Sequence, residues 1–184
     1  MGRLKHRTSP GWTYFVTTKT WQNRAIFQVP ENARILIECM IHHRDVGAFL
    51  LHEFVVMPNH LHLILTPTAG TTLEKAMMLI KGGSSYEIHL QRGIKIKLWT
   101  SGFHETSIRD YDDYLLKAAY IRRNPVAAKL VSRPEDWPHG SASGAFRTDE
   151  VPLRWVGLSS GAKAPFGFES PLSELKLRPP TNLL

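Results

Sequence analysis

Two apolar runs, "AFLLHEFVVM" (residues 48–57) and "HLHLILTP" (residues 60–67), are separated by nothing but "PN". Two strand-length apolar runs around a two-residue breaker read as a β-hairpin. A hairpin this apolar has to be covered, so the rest of the chain must supply helices to pack on it. Successive side chains of a strand point to opposite faces. Leu61, Leu63 and Leu65 therefore share one face and His60 and His62 the other. The leucines belong to a core. A single histidine in such a run is ordinarily a satisfied core or surface residue, but two imidazoles on one strand face can also chelate one cation. The hairpin alone leaves both readings open.

The flanking sequence provides the cover. "WTYFVTTKT" (residues 12–20) is rich in aromatic and β-branched residues and reads as a strand. In "VPENARILIECMIHH", Ala33, Leu36, Ile37, Met40 and Ile41 recur at the spacing of an amphipathic helix with a proline near its start. "TTLEKAMMLIKGGSSYEIHLQRG" reads as a second helix, capped by Thr72 and broken or kinked at Gly82-Gly83. "IKLWTSGFHETSIRD" holds a fourth strand, and Asp110 caps a helix running from about Tyr111 to Asn124, where Pro125 stops it. The order β-α-β-β-α-β-α predicts an α+β fold: a ferredoxin-like antiparallel sheet with helices on one face, followed by a C-terminal helix. From Phe146 onward Pro, Gly and Ser dominate without sustained periodicity. A domain over residues 1–145 and a tail over 146–184 are expected.

At 184 residues with 42% hydrophobic content, the chain can bury the core of one soluble domain. It has no apolar run of membrane-spanning length, its first residues lack the apolar stretch of a signal peptide, and the single Cys39 excludes an internal disulfide framework. A cytoplasmic protein with no membrane partner is expected. The charge is more telling: 23 Lys and Arg against 16 Asp and Glu give a net +7. The basic residues gather in an N-terminal arm (Arg3, Lys5, Arg7), around Lys81, Arg92, Lys95 and Lys97, and from Lys117 to Arg133. A pI near 9.7 favours a polyanionic partner, most often nucleic acid.

The last helix carries one residue out of pattern. Tyr111, Tyr114, Leu115, Ala118 and Ile121 make one stripe, read as the core face. Tyr120 falls nearly opposite, with Asp113, Lys117 and Asn124. A tyrosine on a polar face is commonly a surface residue. Tyr120 and Asn124, however, are one turn apart, which sets a phenol nucleophile beside an amide able to ligate a hard metal. Because Asn124 precedes Pro125, its backbone is expected to be leaving the helix.

"PNHLHLIL" resembles the histidine-hydrophobic-histidine motif of HUH single-strand endonucleases, and "YIRRNPVAAKLV" resembles the single-tyrosine motif of the REP-associated tyrosine transposases and their insertion-sequence relatives. "YFVTTKT", "LWTSGFHETSIRD" and "PEDWPHGSAS" support the resemblance, which spans about Trp12 to Ser143. It implies an enzyme that nicks and rejoins single-stranded DNA near a hairpin of REP-like inverted repeats. His60, His62 and Asn124 would hold one divalent ion, Mg²⁺ or Mn²⁺, and Tyr120 would attack to give a 5′-phosphotyrosine link. Lys117, one turn before the tyrosine, is a candidate to take its proton. Arg3, Lys5, Arg7, Arg122 and Arg123 are candidates for gripping phosphates. Trp12, Trp99 and Trp137 either stack on bases or belong to the core. His139 stands where the family more often has tryptophan. A monomer is favoured over the homodimer of shorter insertion-sequence relatives.

Two other functions fit part of the pattern. A ferredoxin-like sheet with basic charge also describes non-enzymatic nucleic-acid-binding domains, although those display aromatics on the central strands where this chain has histidines. A metal-dependent phosphodiesterase that activates water would need the histidines but not Tyr120.

Overall fold

The computed structural model describes residues 11–152 and Trp155. Its strands are β1 (Tyr14–Lys19), β2 (Phe49–Met57), β3 (His60–Pro67) and β4 (His104–Ser107), and its helices are α1 (Pro30–Asp45), α2 (Leu73–Arg92) and α3 (Tyr111–Ala127). All pairings are antiparallel, in the order β2-β3-β1-β4. The hairpin is β2 and β3, with Pro58 and Asn59 as its turn. The α+β antiparallel architecture is the one expected.

The two faces of the sheet bury different things. Tyr14, Val16, Leu61, Leu63 and Leu65 point to one face, where they pack with Leu36, Met40, Met77 and Ile80 of α1 and α2. The opposite face carries Val55, Met57 and Ile64, packed with Tyr114, Ala118 and Ile121 of α3. Helices α1 and α2 thus share one face, as the sequence suggested, and the C-terminal α3 covers the other. With Ile64 beneath it, α3 lies on the side toward which His60 and His62 point.

A bulge in β2 lets one strand serve both faces. Leu51 pairs with Leu65 and Glu53 with Ile64, so His52 is an extra residue. Leu51 and Phe54 consequently both reach the α1–α2 core despite their odd spacing. His52 is buried against α3, with its ring 6.3 Å from that of Tyr114.

The caps fall where the sequence puts them: the Thr72 hydroxyl accepts from the Lys75 amide at 3.2 Å and the Asp110 carboxylate from the Asp113 amide at 2.8 Å. Other expectations are corrected. Gly82-Gly83 does not break α2; Gly83 lets α1 approach, because a Cβ there would lie 2.7 Å from Cys39 Sγ. Pro125 does not stop α3, which runs on to Ala127 with Pro125 buried. Leu115, expected in the core stripe, is 46% exposed. The fourth strand is only His104–Ser107, with Trp99 making an isolated bridge to Thr20.

The outer edge of β2 is covered rather than left open. The Val56 amide donates to the His139 carbonyl at 2.8 Å, and the Trp137 indole donates to the Val56 carbonyl at 3.1 Å. Beyond residue 145, Phe146 packs on Phe54, Asp149 accepts from the Leu51 amide and from Arg44, and Trp155 lies against Tyr114. The rest of the expected tail lies outside the described residues. No helix among the described residues is long and apolar enough to cross a membrane.

Candidate active site

The site forms where α3 crosses the polar end of the β1–β3 pair. Register places Thr17 opposite His62 and Lys19 opposite His60, so all four side chains lie on the α3 side of the sheet. His60 is half-buried and His62 only 5% exposed, with ring centroids 4.7 Å apart. Phe15, next along β1 on this face, stacks on the His62 ring at 5.6 Å and floors the site.

Each imidazole is oriented through the same ring atom. His60 Nδ1 is 2.7 Å from Asn59 Oδ1. A carbonyl oxygen can only accept, so Nδ1 carries the hydrogen and Nε2 keeps its lone pair. His62 Nδ1 is 2.7 Å from the Thr17 hydroxyl, whose oxygen can accept in the same way. Outer hydrogen bonds of this kind fix the tautomer and aim of a metal-binding histidine.

The environment keeps both rings neutral. Burial pushes His60 down to about 4, with the nearby Lys19 charge adding to the effect and a hydrogen bond to the Asn124 side chain opposing it. Burial, then the His60 and Lys19 charges, take His62 down to about 3. Neutral imidazoles are what a divalent cation requires.

Helix α3 completes the cluster. Tyr120 is 39% exposed, and its ring lies 5.2 Å from His62 and 5.9 Å from Phe15, edge-on to both. It therefore sits at the flank of the packed face, not on the far side of the helix as its place opposite the apolar stripe suggested. Because α3 continues through Pro125, Asn124 keeps helical backbone one turn beyond Tyr120 and reaches His60. Lys117, on the same flank, holds its ammonium 5.3 Å from the Phe15 ring centroid. Among the described residues no three His, Cys, Asp or Glu side chains gather to hold a metal. The donors that do converge are two imidazoles and an amide. That mixed set fits a divalent cation and leaves coordination positions for phosphate and water.

The sequence-nominated phosphate contacts are dispersed. Arg122 hydrogen-bonds the buried Glu53 carboxylate, which also accepts from the Ser141 hydroxyl at 2.6 Å. Part of its charge is thus spent inside the fold. Arg123 is exposed, while Arg3, Lys5 and Arg7 lie outside the described residues. Lys81 donates to the Thr100 and Gly102 carbonyls, and Lys97 sits 3.4 Å over the Trp21 ring. Of the three tryptophans that could stack on bases, Trp99 is buried with its indole donating to Ser84, Trp137 is packed on β2, and Trp12 is exposed. Sequence reading missed Thr17, Lys19 and Asn59, although the alternation in "YFVTTKT" already sets Thr17 and Lys19 on one face.

Comparison with known proteins identifies the family. The family described as "Transposase IS200 like" matches residues 14–124, more than half of the chain. The chain is 26% identical over 148 residues to the REP-associated tyrosine transposase of Escherichia coli K12, covering 80% of this chain and 86% of that protein. A solved structure of a REP-associated tyrosine transposase bound to a REP hairpin superposes with a TM-score of 0.65 at 25% identity, covering 82% of this chain and 92% of the other. With its hairpin histidines and the α3 tyrosine inside the matched region, the chain belongs to the IS200-like transposase family.

Proposed function

We propose that this transposase cuts and rejoins single-stranded DNA beside a hairpin, with Tyr120 as the nucleophile and a 5′-phosphotyrosine as the intermediate. The observation that carries the reading is the 5.2 Å approach of the Tyr120 ring to His62, in a cluster where His60 also meets Asn124. A hairpin substrate is favoured because the similar REP-associated transposase is bound to one. The catalytic unit is taken to be residues 1–145, buttressed by Phe146, Asp149 and Trp155.

His60, His62 and Asn124 would hold one divalent cation, Mg²⁺ or Mn²⁺. Such an ion, when bound, draws negative charge from a phosphate oxygen and makes phosphorus a better electrophile. The chain's own groups do the rest. Asn59 keeps His60 in the tautomer that offers Nε2, and Thr17 holds the His62 ring by its Nδ1 edge. The Tyr120 oxygen attacks phosphorus, the new bond joins it to the 5′ side of the break, and the bond to the 3′ oxygen is released. The phenolic proton leaves as that bond forms, and the departing 3′ oxygen gains one to become a hydroxyl. Lys117 lies on the tyrosine's flank, where its charge favours loss of that proton. The intermediate conserves the ester bond, so a 3′ hydroxyl attacking it restores the phosphodiester without ATP.

The test is to map the adduct. The protein is incubated with Mn²⁺ and a hairpin oligonucleotide carrying single-stranded flanks, digested with nuclease and protease, and analysed by mass spectrometry. A nucleotide 5′-phosphate on the peptide containing Tyr120 is expected. Cleaved DNA with no protein adduct would instead identify a water-activating phosphodiesterase.

A further inference from the structure

We infer that Lys19 grips the scissile phosphate, its ammonium donating to a non-bridging oxygen opposite the ion site. The inference rests on the nuclease reading above and deepens it, because neither the sequence pattern nor the family motifs single this residue out.

Lys19 is the last residue of β1 and pairs with His60, while Thr17, two residues earlier, bonds His62. Strand alternation puts Lys19 on the same face as Thr17, beside the imidazoles and beneath the α3 flank. The backbone there is fixed: the Lys19 carbonyl accepts from both the amide and the hydroxyl of Thr100 at 3.0 Å. Its charge is felt at both rings of the pair.

Several other basic side chains are engaged elsewhere. Arg44 pairs with Asp149, Arg122 with Glu53, and Arg133 with Asp136, while Lys81 is bonded to carbonyls. Lys19, half-buried, forms no ion pair among the described residues. A cation so placed repels the divalent ion that its neighbours would hold. The repulsion is offset only when an anion lies between them, and a phosphodiester oxygen is the anion this enzyme handles. Negative charge grows on the phosphoryl oxygens during attack, so the contact strengthens toward the transition state. Lys19 keeps its proton throughout.

The assignment makes two effects of opposite sign. Removing the charge by Lys19→Met relieves repulsion, so Mn²⁺ titrated without DNA should bind about fivefold tighter. Adduct formation on the hairpin oligonucleotide at saturating Mn²⁺ should slow by about a hundredfold to a thousandfold. Lys19→Arg keeps the charge and should stay near wild type in both measurements. A Lys19→Met rate within twofold of wild type would overturn the assignment, as would Mn²⁺ binding that weakens together with the rate, which marks a structural role. If wild type itself forms no adduct, the nuclease reading fails, and the role of Lys19 goes with it. A normal wild-type rate retained by Lys19→Met rejects Lys19 alone.

Discussion

Thr17 and His62 face each other across β1 and β3, and the threonine hydroxyl oxygen lies 2.7 Å from the ring Nδ1. The bond joins a residue of unremarkable sequence to one of the two proposed imidazole ligands, and it holds the ring by its Nδ1 edge. Thr17→Val keeps shape but loses the hydroxyl. Mn²⁺ affinity measured by calorimetry should fall by about tenfold, in the range typical for outer-shell partners. Thermal stability should change little, and unaltered Mn²⁺ binding would show that Thr17 does not orient His62.

The same burial that readies the histidines makes the ion-free domain sensitive to acid. Both rings have folded values well below the ordinary 6.5, at about 4 for His60 and about 3 for His62. Burial also lowers His52. The unfolded chain takes up protons at these positions first, so stability is complete above about pH 6.5 and declines as the pH falls toward about 3. Urea midpoints in chelator should therefore drop between pH 7.5 and pH 4.5. A variant carrying His60→Ala and His62→Ala should lose less over that interval; identical slopes would place the acid sensitivity elsewhere.

Adjacent glycines of α2 should behave in opposite ways. A methyl group at Gly83 meets Cys39 Sγ at 2.7 Å, whereas one at Gly82 meets nothing within 4 Å. Gly83→Ala is expected to cost about 1–3 kcal/mol through overpacking. Gly82→Ala should stabilise the protein by up to about 1 kcal/mol, because alanine is the better helix former. Chemical denaturation of the two variants checks both signs.

Arg122 and Arg123 are neighbours with different tasks. The Arg122 side chain is 54% exposed, but it pairs with the buried Glu53, whose side chain is 4% exposed. Arg122→Ala strands that carboxylate and should destabilise the fold by about 1–3 kcal/mol. Arg123→Ala should stay within about 0.5 kcal/mol in stability, as surface changes do. It should instead weaken hairpin DNA binding and reduce the salt slope by about 0.7, the value for one single-strand phosphate contact. Equal effects of the two changes on DNA affinity would contradict this division.

What was legible in the sequence follows from which interactions are local. The hairpin, its "PN" turn, the alternation of leucine with histidine and both helix caps depend on residues a few positions apart, and the structure has them where the sequence put them. The juxtaposition of His60, His62, Asn124 and Tyr120 followed from two motifs and one fold class. Three features needed tertiary information. One apolar stripe implies one buried face and leaves Tyr120 to solvent; α3 rests on a sheet whose rim is polar, so its flank is packed too. Leu115, on the opposite flank, lost its partners for the same reason. Pro125 removes only its own amide hydrogen, and the following turn bonds on, with Ala128 donating to the Asn124 carbonyl at 3.0 Å. Glu53 is one charge in an apolar strand, and its partners Arg122 and Ser141 come from 69 and 88 residues away.

The phenol of Tyr120 is proposed to attack DNA while the histidine pair holds the ion, and Tyr120→Phe separates those roles by removing one oxygen. Its ring contacts with His62 and Phe15 remain available, so stability should shift by no more than about 0.5 kcal/mol and Mn²⁺ and hairpin DNA should still bind. Wild type and Tyr120→Phe are incubated with a labelled hairpin oligonucleotide bearing single-stranded flanks and Mn²⁺, and the products are resolved on a denaturing gel. Wild type should give a protein–DNA adduct and a released fragment ending in a 3′ hydroxyl, and Tyr120→Phe neither; an adduct that persists in Tyr120→Phe would show that another group attacks the DNA.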